Sequence, residues 1–410
     1  MSEQDISAPA SGVSDNAGWR QAWVPLVVGL ALAAVLTFAS AMEWLPEAPD
    51  RFTYDWRTAL LAERASEARD DIAIVLIDED SLTGYASLSP IDRGLTAELI
   101  RAVDSANPKA IGLDYIIDRP TEPAKDAAFL AAVRDAKAPV ILGYLDERGG
   151  PRPKEAEYQA RFLEQSKRQG GHIFFATEKN RLTLGDQAVR SMVAPSPNPP
   201  HRPAFARLLA EVDGPKPEPA SDLIHWQLPP GRGGQDLFLT FTVPPHRDDN
   251  GKPTGPVFPE SWRGALTGKI VLIGGGFSDR DRHLTPLAVA NPERIHGVKI
   301  HAQILAQLRD GRSLHRMPVW LEFALVTLVG AFGFYAARRW TIKGDGWRAS
   351  VIALAVTVVL GMFLFWAFRV ILPSATLFLG WALGLLAGNR ADWAMEHMGR
   401  VFGRRAVKGG

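Results

Sequence analysis

Apolar residues in this chain fall into long runs near its two ends and short runs in between. Val24 to Met42 is an uncharged stretch of 19 residues. Three further stretches, Pro318 to Ala337, Ala349 to Phe368 and Val370 to Ala387, follow near the C-terminus. Each is close to the roughly 20 residues a helix needs to cross about 30 Å of hydrocarbon. One such run could be a buried soluble helix, but three in succession argue against that. The pattern therefore predicts four transmembrane helices, at 24–42, 318–337, 349–368 and 370–387. Glu322 lies one turn inside the second, where its carboxylate can still reach the headgroups.

The short runs have a different rhythm. Ile72-Ala-Ile-Val-Leu-Ile77 is continuous, β-branched and stopped by acids, as expected of a strand buried on both faces. A helical pattern from Leu95 to Asp104 follows, then strand-like Lys109 to Ile117, a helix over Asp126 to Lys137, and a strand over Pro139 to Leu145. Strand, helix, strand, helix, strand predicts parallel βαβ units. From 146 to 235 the pattern gives way to proline, glycine and charge, and reads as an insertion. Within it only Ile173-Phe-Phe-Ala176 looks strand-like and only Phe205 to Val212 helical. Regularity returns with Leu237 to Val243, Ile270 to Ile273 and a helix from Val298 to Arg309. The fold class expected is thus an α/β domain with a largely parallel sheet over 43–317, joined to an α-helical membrane region.

Basic residues orient the spans. Arg338, Arg339, Lys343 and Arg348 lie between the second and third, and Arg390, Arg400, Arg404, Arg405 and Lys408 follow the fourth, so 338–348 is expected to be a cytoplasmic loop and 388–410 a basic cytoplasmic tail. Alternation then puts 1–23 inside and 43–317 outside, on the periplasmic or extracellular side of the membrane. Ala39-Ser-Ala41 also resembles a signal-peptidase site, so cleavage after the first apolar run is the competing reading; either way the middle segment is outside.

Composition narrows the chemistry. The net charge of +1 over 410 residues gives no case for nucleic acid, and the absence of cysteine excludes disulfides, zinc thiolates and thiol nucleophiles. Ligands of open α/β sheets bind beyond the carboxyl ends of the strands. Asp78 and Asp80 follow the first strand, Asp114 and Asp118 sit in and after the second, and Asp279 and Asp281 follow Ile270 to Ile273. Arg93, His283 and His301 are placed to join them, giving a ligand-binding candidate set suited to a cation or a polar organic molecule. Each has a structural alternative. Asp78, Asp80 and Asp118 suit helix caps or loop amides, Asp114 could pair with Arg93, His301 could pack over a helix N-terminus and His283 could be a solvated loop residue. Whether a metal binds is left open by the residues. Gly274-Gly-Gly276 fits neither phosphate fingerprint, and Asp279 and Asp281 would repel a phosphate, so the glycines read as a sharp turn. No serine–histidine–acid order, nucleophile elbow or His-x-x-x-His helix appears. The expectation is therefore a non-enzyme with no cofactor; a metal-dependent hydrolase using the acidic mouth is the remaining catalytic rival.

Several motifs in order resemble one family. They are Tyr54-Asp-Trp-Arg57, Ile74-Val-Leu-Ile-Asp-Glu-Asp-Ser-Leu82, Arg93-Gly-Leu-Thr-Ala-Glu-Leu-Ile100, Ala110-Ile-Gly-Leu-Asp-Tyr-Ile-Ile-Asp118, Gly268-Lys-Ile-Val-Leu-Ile-Gly274, His283-Leu-Thr-Pro286 and Gly297-Val-Lys-Ile-His-Ala-Gln303. Together they resemble the extracellular sensory domain of bacterial cyclase- and histidine-kinase-type receptors called the second CHASE type. The resemblance implies an outside sensor in a bacterial inner membrane that signals through its helices to a cytoplasmic output, and self-association as a dimer. Only about twenty residues follow the fourth apolar run, too few for a kinase or cyclase, so the output is expected from a separate cytoplasmic or membrane protein. The alternative is a structural or docking subunit of an envelope complex with no small-molecule ligand.

Overall fold

The computed structural model describes residues 16–42, 44–45, 48–176, 188–231, 235–245, 259–340 and 346–406. The chain forms two compact units, Tyr54–His315 on the one hand and the flanking segments up to Thr53 and from Arg316 on the other. Of the positions given a role above, residues 1–15, Lys343 and Lys408 lie outside the described residues.

Tyr54–His315 is built on six parallel strands: β1 (Arg69–Ile77), β2 (Ala110–Asp114), β3 (Val140–Tyr144), β4 (Gln169–His172), β5 (Phe238–Thr242) and β6 (Ile270–Gly275). Their order across the sheet is β4-β3-β2-β6-β1-β5. The central strands β2 and β6 are buried along their whole length, which is why they read as unbroken apolar runs. One face carries α3 (Arg93–Ser105), α4 (Pro123–Asp135), α5 (Pro153–Ser166) and α7 (Glu260–Leu266), packed through Leu99, Phe129, Phe162 and Leu266. The other carries α6 (Phe205–Ala210) and α8 (Gly297–Asp310), packed through Phe205, Leu209, Ile300 and Leu305.

The segment 146–235 is more regular than its composition implies. It supplies α5, β4 and α6, and so an edge of the sheet as well as part of its cover. The strand expected at Ile173 to Ala176 is not formed; the strand is Gln169-Gly-Gly-His172 just before it. Glycine is needed there, because a Cβ on Gly171 would lie 2.6 Å from the Phe205 Cα, so α6 could not start where it does. Tyr54-Asp-Trp-Arg57, in the helix α2 (Ala48–Leu61), braces this domain: Asp55 holds Arg190 through two bonds of 2.6 and 2.8 Å, and the Tyr54 hydroxyl donates to the Ile224 carbonyl at 2.8 Å.

The flanking unit contains α1 (Asn16–Ala41), α9 (Val319–Trp340), α10 (Gly346–Phe368) and α11 (Ser374–Ala406). Among the described residues three helices are long and apolar enough to cross a membrane, over Trp23–Ala41, Val319–Arg339 and Arg348–Phe368. The fourth expected span differs. Val370 and Ile371 lie outside the helix, and α11 is apolar only to about Gly388, roughly fifteen residues or about 22 Å of rise, before Asn389 and Arg390. Small residues let α1, α9 and α11 approach closely. A Cβ on Gly29 would stand 2.3 Å from the Thr327 carbonyl oxygen, and one on Gly384 would stand 2.3 Å from that of Gly330. By contrast α10 exposes Val356, Val359 and Trp366.

Candidate functional site

The order of strands sets where loops can converge. β2 connects to α4 on one face of the sheet, and its neighbour β6 connects to α8 on the other. Adjacent strands whose connections part to opposite faces leave a crevice at their carboxyl ends. Asp114 is the last residue of β2 and pairs in register with Gly274 of β6, so its side chain stands in that crevice on the α8 face.

His301 meets it there. Helix α8 begins at Gly297, which places His301 on its second turn with Nε2 3.6 Å from Asp114 Oδ1. Both side chains are buried, and among the described residues neither ring nitrogen of His301 nor Oδ2 of Asp114 has a hydrogen-bond partner. The imidazole is held instead by aromatic rings: Phe175 stacks on it at 4.5 Å and Phe205 meets it edge-on at 5.2 Å. Phe175 also touches His283 at 5.0 Å, and His283 Nε2 lies 3.0 Å from Asp281 Oδ1. Asp281, in left-handed backbone at φ 50°, turns the loop so that its carbonyl accepts from the Gly297 amide and its carboxylate rests against that glycine. A carboxylate at the first turn of α8 is favoured by the helix dipole. The result is a graded site, with Asp281 and His283 partly exposed at the rim and Asp114 and His301 at the floor.

Burial governs the floor. It pushes the Asp114 carboxyl well above the usual carboxylate range, and the nearby Asp281 charge adds to this. It pushes the His301 imidazole down to about 3, helped by His172 and His283 and opposed by the Ile173 main chain. His172, at the end of β4, is buried and brought down to about 4 by desolvation and then by Arg148. Near neutral pH these imidazoles carry no charge.

Of the eight candidate residues, the structure gathers three, Asp114, His283 and His301. Asp281, named with Asp279 after the same strand, joins them, whereas Asp279 is exposed and 3.7 Å from Arg280. Asp78 is a loop brace, accepting from the Ser81 amide at 2.8 Å and its hydroxyl at 2.7 Å. Asp80 is exposed, and Asp118 is held by Arg119 at 2.7 Å. Arg93 does not pair with Asp114. It lies on the other face of the sheet, stacked over Phe129 at 5.0 Å, with Asp126 at 3.9 Å its nearest acid. Three contributors were not foreseen: His172, Phe175 and Phe205 all come from the segment read as an insertion. Among the described residues no group of three or more histidines and acids is arranged to hold a metal ion.

Residues 27–335 match the family model of the CHASE2 domain, three quarters of the chain. The chain belongs to the CHASE2 family. CHASE2 domains are sensory, so this one has the character of a sensor or receptor, and the matched span runs from the apolar helix before the α/β domain into the one after it. No curated protein and no solved structure matches the chain.

Proposed function

We propose that this CHASE2 protein is a membrane-bound receptor subunit whose outside domain takes its stimulus at the Asp114–His301 crevice and whose helices relay it to a separate partner protein. One observation carries the reading: buried polar groups are nearly always hydrogen-bonded, yet the carboxyl end of the sheet keeps Asp114 Oδ2 and both His301 ring nitrogens buried with no hydrogen-bond partner among the described residues. A domain serving only as a scaffold would gain about 1–3 kcal/mol from an apolar residue at such a position. Orientation rests on Arg338, Arg339 and Arg348, which cluster between two spans as cytoplasmic residues do. For a stimulus to be relayed it must bind two states of the protein with different affinity.

The test is cross-linking in native membranes of the full chain against the double variant Asp114→Asn, His301→Gln. The proposal expects a cytoplasmic or membrane partner whose recovery with the parent changes between growth conditions, and whose recovery with the variant does not. A partner recovered identically with both would favour the docking-subunit reading. Recovery of no partner under any condition would overturn the relay.

A further inference from the structure

The atoms left without partners at this crevice share a chemical bias. Asp114 Oδ2 is an acceptor once the carboxyl ionises, one ring nitrogen of neutral His301 accepts hydrogen bonds, and Asp281 adds a second carboxylate at the rim. The charged and titratable groups around Asp114 are Asp281 and His283 from the loop after β6, His301 from α8, and His172 from β4 with Arg148 behind it. The second carboxylate works against any oxyanion. Phe175 and Phe205 surround the His301 ring that faces Asp114, and aromatic surroundings of this kind favour an organic cation. A bare metal ion would need ligands gathered to about 2.1–2.6 Å of one point, and no such group occurs among the described residues. Hydrogen bonds from an N–H group span about 2.8 Å and tolerate a looser set. The rim also provides a route, since Phe175, His283 and Asp281 are the partly exposed members and lie over the buried pair.

Resting on the receptor reading above, we propose that the crevice binds a primary ammonium compound, its N–H groups donating to Asp114, Asp281 and His301 and its charge lying beside Phe175. The ammonium takes over the role of the proton that Asp114 otherwise retains, so binding releases a proton from this carboxyl to solvent. Affinity therefore rises with pH through the range in which Asp114 titrates. Phe175 moves aside to admit the ligand, which gives binding a mechanical consequence in the segment that carries it.

Thermal unfolding of the full chain in detergent, with ethylamine and 1,4-diaminobutane as probes and acetate and phosphate as controls, tests this directly. At saturation the better amine is expected to raise the midpoint by about 5 °C or more while the anions leave it unchanged. Asp114→Asn, nearly isosteric, is expected to keep a parent-like melting curve without ligand and to lose at least tenfold in amine affinity; His301→Gln is expected to lose less. Titration calorimetry in buffers of different ionisation enthalpy should record proton release with the parent and none with Asp114→Asn. Stabilisation by acetate or phosphate, no shift with either amine, or equal amine affinity in Asp114→Asn would each overturn the proposal. Should amines fail while partner recovery still depends on Asp114, the ligand class is wrong and the receptor reading stands. Should amines bind through Asp114 while partner recovery ignores it, the reverse holds.

Discussion

Replacing Gly171 by alanine would put a methyl group into the backbone of α6. The added Cβ would lie 2.6 Å from the Phe205 Cα and 2.8 Å from its nitrogen, against an ordinary contact of about 3.4 Å or more, so the start of α6 must retreat by about 0.8 Å. Main-chain atoms cannot swing away as a side-chain tip can, and overpacking of this kind costs about 1–3 kcal/mol. For a domain of this size each kcal/mol lowers the melting midpoint by about 2–4 °C, so Gly171→Ala should melt about 2–12 °C below the parent. The retreat also draws Phe205 off the His301 ring, now 5.2 Å away, loosening the floor of the crevice. Gly264→Ala is the matched control: it lies on exposed helix α7, and a Cβ there meets nothing within 4 Å. Helix propensity predicts that it stabilises by about 0.5–1 kcal/mol. Differential scanning fluorimetry of the three purified proteins is sufficient. A Gly171→Ala midpoint within 1 °C of the parent would show that the packing of α6 on β4 is not as described.

Two further outcomes follow from the same coordinates. Because His172 and His301 are brought down to about 4 and 3, the folded state refuses protons that the unfolded chain accepts near pH 6.5, so their contribution is intact above that pH and is lost as pH falls toward 4. The loss approaches about 1.4 kcal/mol per pH unit for each imidazole. Asp114, held above its usual range, works in the opposite sense, so the effect is read in Asp114→Asn by urea unfolding between pH 7 and 4, and adding His301→Gln should lower the slope, by up to about 1.4 kcal/mol per pH unit; an unchanged slope would refute it. In the membrane unit, Gly384→Leu should separate α9 from α11 and cost about 1–3 kcal/mol or more, since even its Cβ would stand 2.3 Å from the Gly330 oxygen, whereas Val359→Leu on the exposed side of α10 should be neutral. Equal melting of the two variants in detergent would contradict the helix packing.

The sheet was legible where burial on both faces demanded apolar, β-branched runs, as in Ile72 to Ile77, Ala110 to Leu113 and Ile270 to Ile273. It was illegible at β4, because an edge strand reading Gln-Gly-Gly-His is shaped by the close approach of Phe205 and Leu163 to its glycines and carries no periodic signal. Helix α5 escaped for a related reason: it buries only Gln159, Phe162, Leu163 and Ser166, two of them polar. At the site, position after a strand drew attention to Asp114, and the helix start to His301. What the sequence could not supply was loop register, which decides between Asp279 and Asp281. It also could not bring Phe175 and Phe205 across the sheet to a histidine far along the chain. The fourth apolar run, Val370 to Ala387, does not coincide with one helix, because hydropathy ignores where a helix begins.

The last strand to be made is the one the others need first. β6 lies between β1 and β2, yet about 150 residues separate it from β2 in the chain. Until Ile270 to Gly275 emerge, β1 and β2 each present an unpaired edge with nothing to join them, and Asp114 has no crevice to stand in. During synthesis and export the domain must therefore wait, partly open, for its own centre. Shortened versions ending before residue 270 should expose sticky strand edges rather than yield a smaller sensor, and chaperone protection matters most in that interval.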